Sequence, residues 1–222
     1  MGQGGFPVDL VLFGLIAAFL ILRLRSVLGR RTGFERPPLD PQAAHTPLRA
    51  APVIEGRAES VQPAPARPLP DPASPTGATL ARMQEADRSF QPQRFLEGAE
   101  QAFRIIVTAF AGGDRQALRP LLSEETYRTF DTAIAERESR SETQKTEIRG
   151  IQTVAIESAE LTGTTARIAV RFVSDQVNMT VGSDGQPAAG ADAVTEITDL
   201  WTFERDLASQ DPTWRLVGAR SA

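Results

Sequence analysis

From Phe6 to Leu22 every residue is apolar, Gly or Pro except Asp9, and such a run restricts where this part of the chain can settle. A helix over it is roughly 25 Å long at 1.5 Å per residue, slightly short of the ~30 Å hydrocarbon core of a bilayer. Continuing through Arg23, Leu24, Arg25, Ser26, Val27 and Leu28 completes the span, because arginine stems lie along apolar surface while their guanidinium groups reach the headgroups. A cleaved signal peptide needs a basic region before the run and a small-residue cleavage site behind it, yet Met1 to Gly5 holds no Lys or Arg. The positive charges follow the run, at Arg23, Arg25, Arg30, Arg31 and Arg36. This pattern predicts a single-pass anchor that leaves the rest of the chain on the cytoplasmic side. The same five arginines are either a topology determinant alone or also lipid-contacting, a docking patch for anionic headgroups worth about 1 kcal/mol per residue.

Eleven of the sixteen prolines fall between Pro37 and Pro75, with few large apolar residues to build a core, so residues 37–89 read as a disordered linker. Its mean reach as a flexible coil is on the order of 40 Å. A short helix is expected at its end, from Thr79 to Phe90, either leading into the domain or binding a partner. Residues 1–36 are then the anchor and 90–222 the folded domain.

Composition removes several functions. A net charge of -4 and a pI near 5.2 argue against nucleic acid as a partner, which requires a basic face. With no cysteine, disulfides, thiolate zinc sites and cysteine nucleophiles are excluded. The single histidine, His45, lies in the linker, which removes the commonest general base. Gly112-Gly113 and the glycines from 182 to 190 lack the spacing and strand-to-helix context of a phosphate loop. Neither cofactor nor metal is expected.

The remaining chain changes period near Arg140. Before it, Phe95, Ala99, Ala102, Phe103, Ile106 and Phe110 recur at helical spacing over 93–111, and Gly112-Gly113 stops that helix. Asp114 and Ser123 are placed to N-cap two further helices, the second with Tyr127, Phe130, Ala133 and Ile134 facing inward. After Arg140 the period is 2, predicting strands over 151–160, 164–174 with an extension to Val181, 194–205 and 213–218, with turns at 182–185 and 211–212. Helices followed by antiparallel strands give an α+β fold, a curved sheet with helices packed across it in the manner of cone-shaped, nuclear-transport-factor-two-like domains. Any gap between helix and sheet would be lined by Phe103, Phe110, Tyr127, Phe130, Asp199, Trp201 and Phe203; alternatively these residues are simply the core.

Four separated phrases, Phe95-Leu-Glu-Gly-Ala99, Ala109-Phe-Ala-Gly-Gly-Asp114, Asp199-Leu-Trp-Thr-Phe-Glu-Arg-Asp206 and Asp211-Pro-Thr-Trp-Arg-Leu-Val217, resemble the Tim44-like domain family over about Phe90 to Ala222. The segment Leu24-Arg-Ser-Val-Leu-Gly-Arg-Arg-Thr-Gly33 is similar to that of bacterial, alphaproteobacterial-type members. The family's mitochondrial namesake is a peripheral inner-membrane adaptor that brings an Hsp70 motor to an import channel and touches anionic lipid. The resemblance therefore implies a non-enzymatic adaptor or scaffold at a bacterial inner membrane, related to protein translocation or membrane-protein biogenesis. Its expected partners are membrane lipids and membrane or translocation proteins. The coiled region through which the namesake engages its motor has no counterpart in Pro37 to Pro75.

Two other readings stay open. A cone-fold enzyme could use Asp199, which shares a strand face with Trp201 and Phe203 and must be paired or neutral if buried; the plainer role for it is an ion pair with Arg167 or Arg171. A structural part of a secretion assembly would place the domain in the periplasm, behind a basic N-terminus that this chain does not have.

Overall fold

The computed structural model describes residues 65–221; the apolar run, the five arginines after it and the remainder of residues 1–64 lie outside them. Among the described residues no helix is long and apolar enough to cross a membrane. Among the described residues four helices come first, α1 (Pro75–Ala86), α2 (Pro92–Gly112), α3 (Arg115–Leu118) and α4 (Glu124–Ser139). Four strands follow, β1 (Thr143–Thr162), β2 (Thr165–Val181), β3 (Pro187–Asp206) and β4 (Arg215–Ser221). They form one sheet in the order β1-β2-β3-β4, every neighbour antiparallel, so the expected α+β architecture is what forms.

Helix α2 crosses the sheet and supplies most of the helical half of the core. Phe95, Leu96, Ala99, Phe103, Ile106 and Ala109 are buried along it. On the sheet the matching face is Val154 and Ile156 of β1, Ile168, Val170 and Phe172 of β2, Trp201 and Phe203 of β3 and Leu216 of β4. The Phe103 ring stacks on Phe172 with centroids 4.4 Å apart and lies 4.7 Å from Trp201. Register shifts interrupt β1 at three points between Ile148 and Ser158, and such bulges bend a strand. Gly113, at φ 70°, ends α2 in the left-handed conformation glycine tolerates best. Asp114 accepts from the Ala117 amide at 3.0 Å and Ser123 from the Thr126 amide at 3.2 Å, the two caps that the sequence predicts.

Several boundaries differ from the sequence reading. The helix expected over 79–90 is α1, starting at Pro75, because Ser74 accepts from the Gly77 amide and Pro75 fits the first helical turn. Its Leu80 and Met83 belong to the core. Within the stretch read as linker, residues 65–89 are among those described and pack on the domain. There Ala66 pairs with the outer edge of β1, donating to the Gln152 carbonyl at 2.8 Å and accepting from the Val154 amide at 2.9 Å, and Arg67 pairs with Glu100 at 2.5 Å. Neither contact has a periodic signature.

Strand β1 begins at Thr143 instead of 151, and β3 at Pro187 instead of 194. The added part of β1 alternates exposed and half-buried residues without an apolar face, and that of β3 is mostly alanine and glycine. Gly190, at φ 79°, closes against the Asn178 carbonyl where a Cβ would collide.

At this end of the sheet the concave face is polar. Ser174 and Gln176 are buried and form a chain in which Gln176 donates to Ser174 at 2.9 Å, Asn178 to Gln176 at 3.1 Å and Thr146 to Asn178 at 2.6 Å. Nearby, buried Arg137 donates to Gln144 at 2.6 Å and to the Phe110 and Ala111 carbonyls at 2.7 and 3.1 Å, satisfying the end of α2. Arg137→Met keeps the apolar stem but removes the donor to Gln144 and the Ala111 carbonyl and leaves the Phe110 carbonyl only the Gly113 amide, so it is expected to lower the unfolding free energy by about 2–4 kcal/mol in urea titration, against about 0.5 kcal/mol or less for the exposed Arg140→Met.

Candidate functional site

An apolar groove of about 350 Å³ opens where the start of α2 faces the β3–β4 turn. Phe95 is its centre, 4.8 Å from Trp214, 6.0 Å from Phe203 and 6.2 Å from Phe90, while Phe90 and Trp214 are 5.7 Å apart. Edge-on and tilted contacts of this kind favour aromatic pairs beyond their buried area. Leu121 and Pro212 add further apolar wall.

One largely buried ion pair holds the two banks together. Arg205 of β3 lies 3.0 Å from the Asp87 carboxylate in the α1–α2 turn, with the two side chains only 10% and 13% exposed, and its Nε donates to the Asp211 carbonyl at 3.3 Å. The Ser89 hydroxyl and amide both donate to Asp87, and with Arg205 they hold its carboxyl below the usual carboxylate range. Asp211 is brought down to about 2, mainly by the Thr213 hydroxyl and amide and then by Arg215. Both turns that frame the groove are therefore tied by ionised carboxylates.

On the α2 bank the charge is different. Arg94 is exposed and makes no ion pair among the described residues. One turn further, Gly98 is also exposed, and a Cβ built there would meet nothing within 4 Å. Glycine inside a helix costs about 1 kcal/mol relative to alanine, and no intramolecular neighbour requires it here.

The residues read from sequence as a pocket do not gather around one space. Phe103, Trp201 and Phe203 are core residues, and of the seven only Phe203 also lines the groove. Phe110 and Phe130 pair at 5.0 Å at the other end of α2, beneath Arg137 at 5.2 Å. Tyr127 is half-buried under the Arg119 guanidinium, 4.5 Å from its ring centre. Asp199 sits opposite Phe172, half-buried, and accepts from the Ser221 hydroxyl at 3.1 Å. Arg167 pairs with Glu204 and Arg171 with Glu157.

Residues 76–221 match the model of the Tim44-like domain. The chain belongs to the Tim44-like domain family. No curated protein matches it. Among solved structures, the intermembrane space region of the chloroplast protein ARC6 is similar at 12% identity and a TM-score of 0.42, over 56% of this chain and 94% of its own. A substituted variant of Rd1NTF2 is similar at 9% identity and a TM-score of 0.28, over 57% and 97%.

Of the four phrases that carry the Tim44-like resemblance, three supply groove residues: Phe95, Gly98 and Ala99, then Phe203 and Arg205, then Pro212 and Trp214. The helical period places Phe95 and Ala99 on the apolar face of α2, while no spacing in the sequence marks Arg94 or Arg205. The one available signal was Gly98, a helix breaker in the middle of a strong helical period.

The Asp87 carboxyl is held below its ordinary value in the fold, so its contribution to stability is complete above that ordinary value and is lost as pH falls through the folded pKa. Asp87→Asn keeps an acceptor for Ser89 and removes the charge facing Arg205. Its melting temperature is expected to lie below wild type near neutral pH and to converge with it as the pH falls below the ordinary carboxylate range, measured by circular dichroism.

Proposed function

We propose that this chain is a membrane-tethered adaptor of the bacterial inner membrane that performs no chemistry of its own. In this reading the Tim44-like domain faces the cytoplasm and uses the Phe95–Trp214 groove to hold a protein partner. Family membership supports a scaffold role related to translocation. The observation that carries the finer reading is the groove itself, an aromatic recess framed by ion-paired turns, which suits binding better than proton transfer. The asymmetric arginines at 23, 25, 30, 31 and 36 support anchoring and contact with anionic headgroups.

Charge separates the two kinds of contact. Residues 65–221 carry 17 basic and 23 acidic side chains, so the domain as a whole is repelled by an anionic leaflet and lipid contact belongs to the basic segment next to the apolar run. Reporter fusions to the C-terminus, combined with protease protection in spheroplasts, should give a cytoplasmic signal. A periplasmic signal would overturn the orientation and favour a secretion-assembly component. Replacing the five arginines by glutamine should weaken binding of the 23–64 peptide to vesicles containing phosphatidylglycerol by roughly a hundredfold or more, from about 1 kcal/mol per residue, with little effect on neutral vesicles.

A further inference from the structure

We infer that the groove takes an amphipathic helical segment of a partner protein, one that lays a bulky apolar side chain against the outer edge of the Phe95–Trp214 pair and a carboxylate, one turn away, on Arg94. This deepens the adaptor reading and rests on it.

Three observations converge on that occupant. The cavity, about 350 Å³, is at the small end of ligand sites, which fits an anchoring side chain and its neighbours. Its α2 wall is smooth, since Gly98 and Ala102 both line the groove and stand one helical turn apart. With no side chain at Gly98 and open space where a Cβ would point, a second helix can approach the α2 backbone closely. That supplies a purpose for a glycine whose cost inside the helix nothing within the domain offsets.

The third observation is charge. Arg94 lies one turn before Gly98 and has no ion pair among the described residues, whereas Arg205 is already held by Asp87. On a domain with an excess of acidic side chains, an unengaged arginine at the rim of an aromatic groove discriminates in favour of a carboxylate. The same excess disfavours seating the groove on an anionic membrane.

The test uses the full chain in a non-ionic detergent and a fluorescein-labelled amphipathic peptide, built of Ala, Gln and Leu, with one phenylalanine and one glutamate a turn apart. A second peptide carries lysine in place of glutamate. Anisotropy should show saturable binding, about fivefold to tenfold tighter for the glutamate peptide. Arg94→Glu should reverse that order, and Gly98→Leu should weaken both peptides by about tenfold or more while leaving the thermal melt unchanged or raising it, because glycine is unfavourable inside a helix and a Cβ at this position meets nothing within 4 Å. Equal affinity of the two peptides, or an order unchanged by Arg94→Glu, overturns the inference. So does displacement of the glutamate peptide by phosphatidylglycerol vesicles but not by phosphatidylcholine vesicles, which would assign the groove to lipid. If neither peptide binds while the tagged chain still co-purifies with specific envelope proteins, this occupant is wrong and the adaptor reading survives.

Discussion

The packing of α2 across the concave face of the sheet is the contact on which the other features depend. Phe103 lies flat on Phe172 and against Trp201, and each fully buried ring of this kind contributes about 1.5–3 kcal/mol over exposure. Fixing the helix at its middle determines what its two ends do. The N-terminal half runs toward the β3–β4 turn and leaves the Phe95–Trp214 groove open beside it. The C-terminal half ends at Gly113, where Arg137 takes its last carbonyls. The two ends thus meet different surroundings, an open aromatic groove at one and, at the other, a terminus capped by Arg137 beside the Phe110–Phe130 pair.

That division also explains why the buried polar chain from Thr146 to Ser174 is a weak candidate for chemistry. Its side chains bond to one another, and a satisfied buried network specifies register and rigidity. The framing of the groove is likewise structural, as Arg205 joins turns separated by most of the domain's length. Arg94 and Gly98 are groove residues that make no such structural contact. Both lie on one face of one helix.

Much of this was legible in the sequence because it is periodic. The stripe from Phe95 to Phe110 marked α2, Asp114 and Ser123 marked the next two starts, and the alternation of Ala166, Ile168, Val170 and Phe172 marked the buried face of β2. Where pattern fails, so did the reading. Thr143 to Gly150 and Pro187 to Val194 are strands made by pairing, without an apolar face, and Ala66 is held by two backbone bonds to an edge strand. The groove was only partly legible: its residues come from α2, the helix-to-helix turns and both ends of the β3–β4 connection, and no local spacing joins them. Aromatic residues suggested a lined cavity at Phe103 and Trp201, but a core and a pocket have the same composition, and packing decides between them.

The central claim is that partner contact occurs at the α2 bank of the groove. A photoreactive phenylalanine derivative in place of Gln91, an exposed groove residue at the start of α2, compared in intact cells with one at Glu157 on the opposite face of the sheet, tests it directly. The account predicts a discrete protein adduct from position 91, lost on adding Arg94→Glu, and none from position 157. An adduct that forms equally from both positions, or only from 157, would contradict it.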